Sequence, residues 1–169
     1  MTNVTLRPTR ATDLDTLMTW VNDPDVTGRF ARLGHVTREE EQQYLDRISK
    51  SERDRLYAVE DEHGEMIGTA GLHDIDPENR TARFGIIIGR KDRWNGGYGR
   101  STITALLNEA YTTGLKEVWG VTRTDNARMR HLLAQSGFRE DAYLPARYCQ
   151  AGTCHDMVHE VYRIGEAGA

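Results

Sequence analysis

Hydrophobic and polar positions alternate along the chain with two different periods, and the switches between them predict the order of the elements. A strand over Val4 to Pro8 precedes a helix that starts where Thr12 and Asp15 resemble a cap. The apolar face of that helix consists of Leu14, Leu17, Met18 and Val21. A polar connection follows Asn22-Asp23-Pro24, and a capping box at Thr37-Arg38-Glu39-Glu40 opens a second helix. Its inward positions are Tyr44, Leu45 and Ile48.

Strands dominate the middle of the chain. Leu56 to Val59, Met66 to Leu72 and Ala82 to Ile88 are short apolar runs that are separated by turn sequences. These three runs predict an antiparallel meander.

The second half alternates between helix and strand. A helix that follows residue 100 places Ile103, Leu106, Leu107, Ala110 and Tyr111 on one face. Next come a strand over Glu117 to Thr122, a helix that starts near Asp125 and ends at Gly137, and a hairpin of Phe138 to Tyr148 with Met157 to Ile164. The βαβ passage from Ala82 to Thr122 requires one parallel strand pair, so the pattern predicts an α/β domain.

A glycine-rich loop, Arg93-Trp94-Asn95-Gly96-Gly97-Tyr98-Gly99-Arg100-Ser101, joins the third meander strand to the helix after it. The first amide N–H groups of a helix have no intrahelical partner, and glycine lets a ligand approach the backbone closely. The loop therefore predicts a site for an anion. The alternative is a plain strand-to-helix turn that needs glycine only for a positive φ.

The spacing of the glycines excludes the two common nucleotide motifs. No Gly-Lys-Ser/Thr follows the loop, and Thr102 stands where a dinucleotide fingerprint requires a third glycine. The cations Arg90, Lys91, Arg93 and Arg100 surround the single acid Asp92, although the whole chain has a net charge of -4. A local positive patch on an acidic protein favours a phosphate-bearing ligand there.

Size and composition indicate one globular domain over residues 1–165 with a short tail over 166–169. Charged residues make up 28% and hydrophobic residues 38%, which is ordinary for a soluble protein. No apolar stretch reaches membrane-spanning length, and the N-terminus lacks the pattern of a secretory signal, so we expect no membrane partner and a cytoplasmic location. The pI of about 5.9 and the mixing of basic with acidic residues argue against a nucleic-acid partner.

The two cysteines, Cys149 and Cys154, lack the second pair or the histidines that would define a zinc site. In a reducing compartment we expect them to be free thiols. No metal is predicted.

Three blocks of the sequence together resemble the GNAT superfamily of N-acetyltransferases over nearly the whole chain. Gly97-Tyr98-Gly99 matches the glycine end of the family's Arg/Gln-x-x-Gly-x-Gly/Ala loop, and Trp94 takes the Arg/Gln position. That replacement, together with Leu6-Arg7-Pro8 and Asn22 to Val26, resembles the branch of ribosomal-protein N-terminal, spermidine and some aminoglycoside acetyltransferases. The span from Asn126 to Gly137-Phe138 has the spacing of the family's Asn…Gly-Phe segment.

The resemblance implies a single domain with a mixed, mostly antiparallel sheet of six to seven strands and about four flanking helices. The central parallel pair would be splayed to admit acetyl-CoA, which acts as the acyl donor. Loop amides with two arginines would bind the pyrophosphate, and the fourth strand would offer main-chain groups to pantetheine. The residues assigned to the donor in this way are Ile86, Ile87, Ile88, Arg93, Asn95, Gly96, Gly97, Tyr98, Gly99, Arg100, Ser101 and Asn126.

The family's usual catalytic side chains are missing. Leu133 stands at the position of a proton-donating tyrosine, and Arg83 stands at that of an acid in the fourth strand. The replacement candidates are His73, Asp74 and Tyr148. Each has a plain structural alternative: a hydrogen-bonded histidine, a turn residue and a tyrosine that packs on the sheet.

The expected acceptor is the primary amine of a small cationic metabolite or antibiotic, such as a polyamine or an aminoglycoside. Neutralising a lysine-like amine at pH 7 costs about 4.6 kcal/mol, against about 1.4 kcal/mol for an α-amine. Asp13, Asp15, Asp23, Asp25 and the acidic start of the second helix would ring the acceptor mouth, and loops such as Val26 to Val36 would set specificity. The alternatives are a protein N-terminal acetyltransferase and a non-catalytic acyl-CoA-binding module. A homodimer through the last strands is a further expectation.

Overall fold

The computed structural model of the chain describes residues 2–28, 30 and 34–165. The predicted tail over 166–169 and part of the loop from Val26 to Val36 lie outside the described residues. Within the described part, no helix is both long and apolar enough to cross a bilayer.

Seven strands form one sheet in the order β1-β2-β3-β4-β5-β7-β6. The strands are β1 (Thr5–Pro8), β2 (Arg55–Glu60), β3 (Met66–Asp76), β4 (Thr81–Ile88), β5 (Glu117–Arg123), β6 (Arg139–Gln150) and β7 (Thr153–Arg163). Strands β2, β3 and β4 form the predicted antiparallel meander, and only β4 and β5 pair in parallel. The predicted α/β domain with a mixed sheet is confirmed.

The described helices are α1 (Leu14–Val21), α2 (Pro24–Thr27), α3 (Arg38–Lys50), α4 (Tyr98–Thr112) and α5 (Ala127–Gln135). The capping box at Thr37 and Glu40 forms as predicted. The predicted start of α1 at Thr12 is wrong, because a 3-10 turn over Ala11–Asp13 precedes the helix and the Asp13 carboxylate accepts from the Arg10 amide at 2.7 Å. Helix α2 forms at the start of the predicted polar connection, since Asp23 caps the Asp25 amide and Pro24 suits a first turn.

Helices cover both faces of the sheet. On one face α4 and α5 bury a core that includes Leu72, Leu106 and Leu133. On the other face α1, α2 and α3 bury a smaller cluster, against which Ile87 of β4 packs. Because side chains alternate along a strand, the odd-numbered residues of β4 face α1 and α3, and the even-numbered residues face α4.

The parallel pair separates soon after it forms. Pairing joins only Thr81–Arg83 of β4 with Glu117–Trp119 of β5. Just beyond, the ring of Phe84 lies over Gly120, where an added Cβ would be 2.1 Å from Phe84 Cε1. Phe84 also makes an edge-to-face contact with Phe138, with ring centroids 5.2 Å apart. The predicted splay is present, and a packed aromatic ring marks the point where it begins.

The prediction of free thiols is wrong, because Cys149 and Cys154 form a disulfide. The β6–β7 hairpin turns at Ala151 and Gly152, both of which have positive φ, and its register places the two cysteines directly opposite each other. Their separation of five residues in sequence therefore becomes a Cα–Cα distance of 3.9 Å.

Candidate active site

A cleft of about 790 Å³ opens where β4 and β5 diverge. It extends from the glycine loop and the start of α5 to Asp25 and Val26 of α2. The predicted donor residues that line it are Ile86, Ile87, Ile88, Arg93, Asn95, Gly97, Gly99, Arg100 and Asn126. Gly96, Tyr98 and Ser101 are not among the lining residues.

The glycine loop turns into α4 through two left-handed residues. Asn95 has φ 62° and Gly97, the N-cap of α4, has φ 87°. The amides of Tyr98, Gly99 and Arg100 occupy the first helical positions, where no intrahelical acceptor exists. Their partial positive charges and the helix dipole favour an anion at this end of the cleft.

Ser101 departs from its predicted role. Its amide donates to the Gly97 carbonyl at 3.1 Å, and its hydroxyl donates to the Thr2 carbonyl at 2.6 Å. Both groups are used inside the protein, so the row of available amides ends at Arg100.

Two further loop residues shape the loop by packing. The Tyr98 hydroxyl donates to the Glu62 carboxylate at 3.0 Å, which holds the buried ring under the loop. Gly99 lets α4 approach α5, because a Cβ there would lie 3.1 Å from Leu132 Cδ2.

Most of the predicted positive patch is neutralised by acids. Arg93 binds the buried carboxylate of Asp61, with Nη2 at 3.0 Å and Nε at 3.2 Å. Lys91 pairs with Asp23 at 2.9 Å and with Asp25 at 2.8 Å. Arg93 therefore ties the glycine loop to the β2–β3 turn as well as lining the cleft.

Two arginines in the cleft have no carboxylate within salt-bridge distance among the described residues: Arg100, which was predicted, and Arg128, which was missed. Arg128 Nη2 donates to Asn95 Oδ1 at 2.8 Å, and its guanidinium lies 4.6 Å from the Trp94 ring centroid. Arg128 is two residues after Asn126 at the start of α5, and this position in the sequence was a signal that could have indicated a further cation at the cleft.

The main chain of β4 offers hydrogen-bonding groups to the cleft at alternate positions. The Gly89 amide donates to the Ile67 carbonyl at 2.9 Å, which sets the alternation of the β3–β4 ladder. Ile87 then directs its main-chain groups to β3, whereas those of Ile86 and Ile88 face the β5 side. Trp94 Nε1 already donates to the Ile88 carbonyl at 2.7 Å. The main-chain groups of Ile87 are therefore not available to a ligand as predicted, although Ile87 is among the residues that line the cleft.

Asn126 lies at the opposite wall of the cleft and is buried. Its Oδ1 accepts from the Met129 amide at 3.2 Å, which caps α5. One residue therefore fixes the start of α5 and contributes to the cleft.

The proton-transfer candidates lie outside the lining of the cleft. His73 is buried, and its Nδ1 is 3.1 Å from Asp54 Oδ1. Asp74 has φ 51° and accepts from Arg83 Nε at 2.7 Å. The Tyr148 hydroxyl donates to Gln150 Oε1 at 3.2 Å, and its ring stacks on His155. Leu133 is fully buried in the core.

Three of the four aspartates predicted to ring the acceptor mouth do not line the cleft. Asp13 is buried against Arg7, with bonds of 2.8 and 2.9 Å, and Asp15 pairs with Arg38. Of the four named aspartates, only Asp25 lines the cleft.

A sheet that opens between its central parallel strands, with a helix N-terminus at the opening, is the arrangement expected for a GNAT enzyme. The family model described as "Acetyltransferase (GNAT) domain" matches residues 3–139, and the chain belongs to this family. The chain is therefore an acetyltransferase, and its acyl donor is the family's acetyl-CoA.

Curated relatives and a solved structure extend this result. The chain is 31% identical to the uncharacterized N-acetyltransferase YoaA of Bacillus subtilis over 59% of this chain and 55% of YoaA. It is 23% identical to the spermidine N(1)-acetyltransferase of Vibrio cholerae, over 91% of this chain and 89% of that protein. The fold matches the crystal structure of a V. cholerae spermidine N-acetyltransferase in complex with CoA and spermine, with a TM-score of 0.89, 22% identity and 95% of each chain covered.

Replacing Asp61 with Asn tests whether this carboxylate anchors the glycine loop. Burial raises the pKa of Asp61, but amide hydrogen bonds from Glu65 and His63 and the Arg93 guanidinium outweigh burial, so its pKa lies below the ordinary value. The stabilisation is thus fully present above the unfolded pKa of about 3.9 and is lost as the pH falls through the folded value.

We expect Asp61→Asn to lower the free energy of unfolding by about 2 kcal/mol at pH 7 and by progressively less below about pH 4, as measured by urea denaturation. Asp46→Asn, at an exposed site on α3, is the matched control. An equal loss of unfolding free energy at pH 7 and at pH 3 would contradict the role of the ionised Asp61 carboxylate as an anchor.

Proposed function

We propose that this chain transfers the acetyl group of acetyl-CoA to a primary amine of a small cationic molecule of the polyamine type. The observation that carries the proposal is the cleft along the end of β4, which has at one end the amides at the start of α4 and two arginines unpaired within the described part of the chain, and α2 at the other end. The similarity to a spermidine acetyltransferase over 91% of the chain supports a polyamine as the acceptor.

The donor's pyrophosphate would bind the amides of Tyr98, Gly99 and Arg100, with the Arg100 and Arg128 guanidinium groups adding charge. Pantetheine would then lie along β4, where the main-chain groups of Ile86 and Ile88 face the opening. Asn126 would border the pantetheine from the opposite wall. With the pyrophosphate at the start of α4 and pantetheine extended along β4, the thioester would lie near Gly85, at the point where β4 leaves β5.

The acceptor amine has to lose a proton before it attacks, at a cost of about 4.6 kcal/mol for a lysine-like pKa. His73 and Asp74 at the end of β3, and Tyr148 in the last hairpin, are the proposed proton-transfer groups. Leu133 is buried in the core and has no ionisable group, so it supplies no proton to the thiolate.

An amine panel tests the proposed acceptor. Release of CoA thiol is measured with spermidine, spermine, an aminoglycoside and a peptide whose only free amine is its N-terminus. We expect a kcat/KM for a polyamine at least about tenfold above the other classes, in line with the similarity to a spermidine acetyltransferase. Preference for the peptide would establish the N-terminal alternative, and no release with any amine despite CoA binding would establish a non-catalytic module.

Replacing Gly97 with Val tests the donor site. A β-branched residue at φ 87° distorts the N-cap of α4 and displaces the free amides. We expect the KM for acetyl-CoA to rise at least about tenfold, because the displaced amides lose one or two charge-assisted hydrogen bonds to the donor. The matched control is Gly114→Val, because Gly114 has φ 80° at the other end of α4 with nothing within 4 Å of an added Cβ. A KM that rises equally in both variants, or in neither, would refute the site.

A further inference from the structure

Asp54 and His73 form a fixed pair beneath α3. Asp54 lies in the turn between α3 and β2, and its Oδ1 is 3.1 Å from His73 Nδ1. Its Oδ2 accepts from the Ser51 hydroxyl at 2.8 Å. Both side chains are largely buried, with 16% of Asp54 and 10% of His73 exposed. The carboxylate is therefore held from two sides and orients the imidazole.

The other end of the imidazole lies in a space that two glycines create. A Cβ added at Gly71 would be 2.5 Å from His73 Nε2, and one at Gly85 would be 3.4 Å from it. A neutral imidazole carries one N–H and one lone pair. Because the carboxylate accepts the Nδ1 proton, the lone pair is on Nε2, which lies between Gly71 of β3 and Gly85 of β4.

This position lies on the α1–α3 face of the sheet. The odd-numbered residues of β4 face α1 and α3, as Ile87 shows, so Gly85 and the His73 ring are on that side. The core under α4 fills the opposite face. The cleft reaches the α1–α3 side at Asp25 and Val26, and Gly85 is two residues beyond the last β4–β5 pair.

We propose that Asp54 is a positioning residue that aims the Nε2 lone pair of His73 at the acceptor amine, with His73 as the general base. The inference rests on the proposed function and names the group that serves it. The His73 ring of β3 would thereby occupy the space that the missing side chain of Gly85 leaves on β4.

The proton balance is complete without a further reactant. The ammonium group gives one proton to Nε2, and the neutral amine attacks the thioester carbonyl. The C–N bond forms, the C–S bond breaks, and the thiolate takes the second amine proton to become the CoA thiol. The imidazolium then returns its proton to water.

The surroundings of His73 keep it neutral near pH 7. Burial lowers its pKa, and the Arg83 guanidinium on β4 lowers it as well, whereas the carboxylates of Asp54 and Asp74 raise it. Tyr44 of α3 lies near Asp54 and Arg83, and the pKa of its hydroxyl is raised by burial. The net pKa of His73 lies below its ordinary value.

His73→Gln and Asp54→Asn test the pair, with His63→Gln and Asp46→Asn as controls at exposed sites. We expect kcat to fall about 100-fold in His73→Gln, the usual contribution of a general base. Asp54→Asn should lower kcat about tenfold, with the KM for acetyl-CoA within about twofold of wild type. The acid limb of the pH profile of kcat/KM should move to lower pH in Asp54→Asn and disappear in His73→Gln.

Gly71→Ala moves the imidazole without removing it, and Gly85→Ala is its matched partner. A methyl group added at position 71 collides with His73 Nε2, whereas one added at position 85 lies at van der Waals distance from the same atom. We therefore expect the larger loss of kcat in Gly71→Ala. CoA affinity and thermal unfolding check that each variant is folded.

The failure of this inference is distinguishable from failure of the proposed function. Wild-type kcat and pH profiles in folded His73→Gln and Asp54→Asn would overturn the inference while acetylation stands. An absence of turnover in wild type with every amine would overturn both.

Discussion

The separation of β4 from β5 is the constraint on which the rest of the structure depends. A parallel pair that continued along its full length would satisfy the main-chain groups of Ile86 and Ile88 and close the cleft. Pairing stops after three residues, at the point where the Phe84 ring covers Gly120 and packs on Phe138. The opening is therefore built from core packing, and the hydrogen-bonding groups it leaves facing the cleft are those that a donor with an amide-containing arm can use.

The elements around this opening are held to one another by buried polar contacts. Asp61 anchors Arg93 and with it the loop that leads into α4, and Asn126 caps α5 at the facing wall. These contacts fix the cleft before any ligand binds, which reduces the entropy that donor binding has to offset. On the other face, Asp54 fixes His73 in the same manner. In the proposed function, one sheet would thus carry both the donor site and the base.

The periodic segments were predictable because burial imposes their pattern. The meander, α4 and the glycine loop all follow from apolar spacing and glycine placement in the sequence. Contacts between distant residues were not predictable in this way. Nothing local indicates that Asp61 pairs with Arg93 or that Asp54 meets His73. The disulfide was missed because spacing alone does not reveal that Cys149 and Cys154 are opposite in a hairpin. Position in the sequence assigns Ser101 and Ile87 to the donor, but the geometry of the β3–β4 ladder and of α4 decides which amides are available.

A crystal structure of the complex with CoA tests the central claim most directly. The account predicts that the pyrophosphate oxygens accept from the amides of Tyr98, Gly99 and Arg100. It also predicts that pantetheine pairs with the main chain of Ile86 or Ile88 between β4 and β5, with the sulfur near Gly85. CoA bound outside this gap, or a β5 that closes onto β4 beyond Trp119 when CoA is present, would contradict the account.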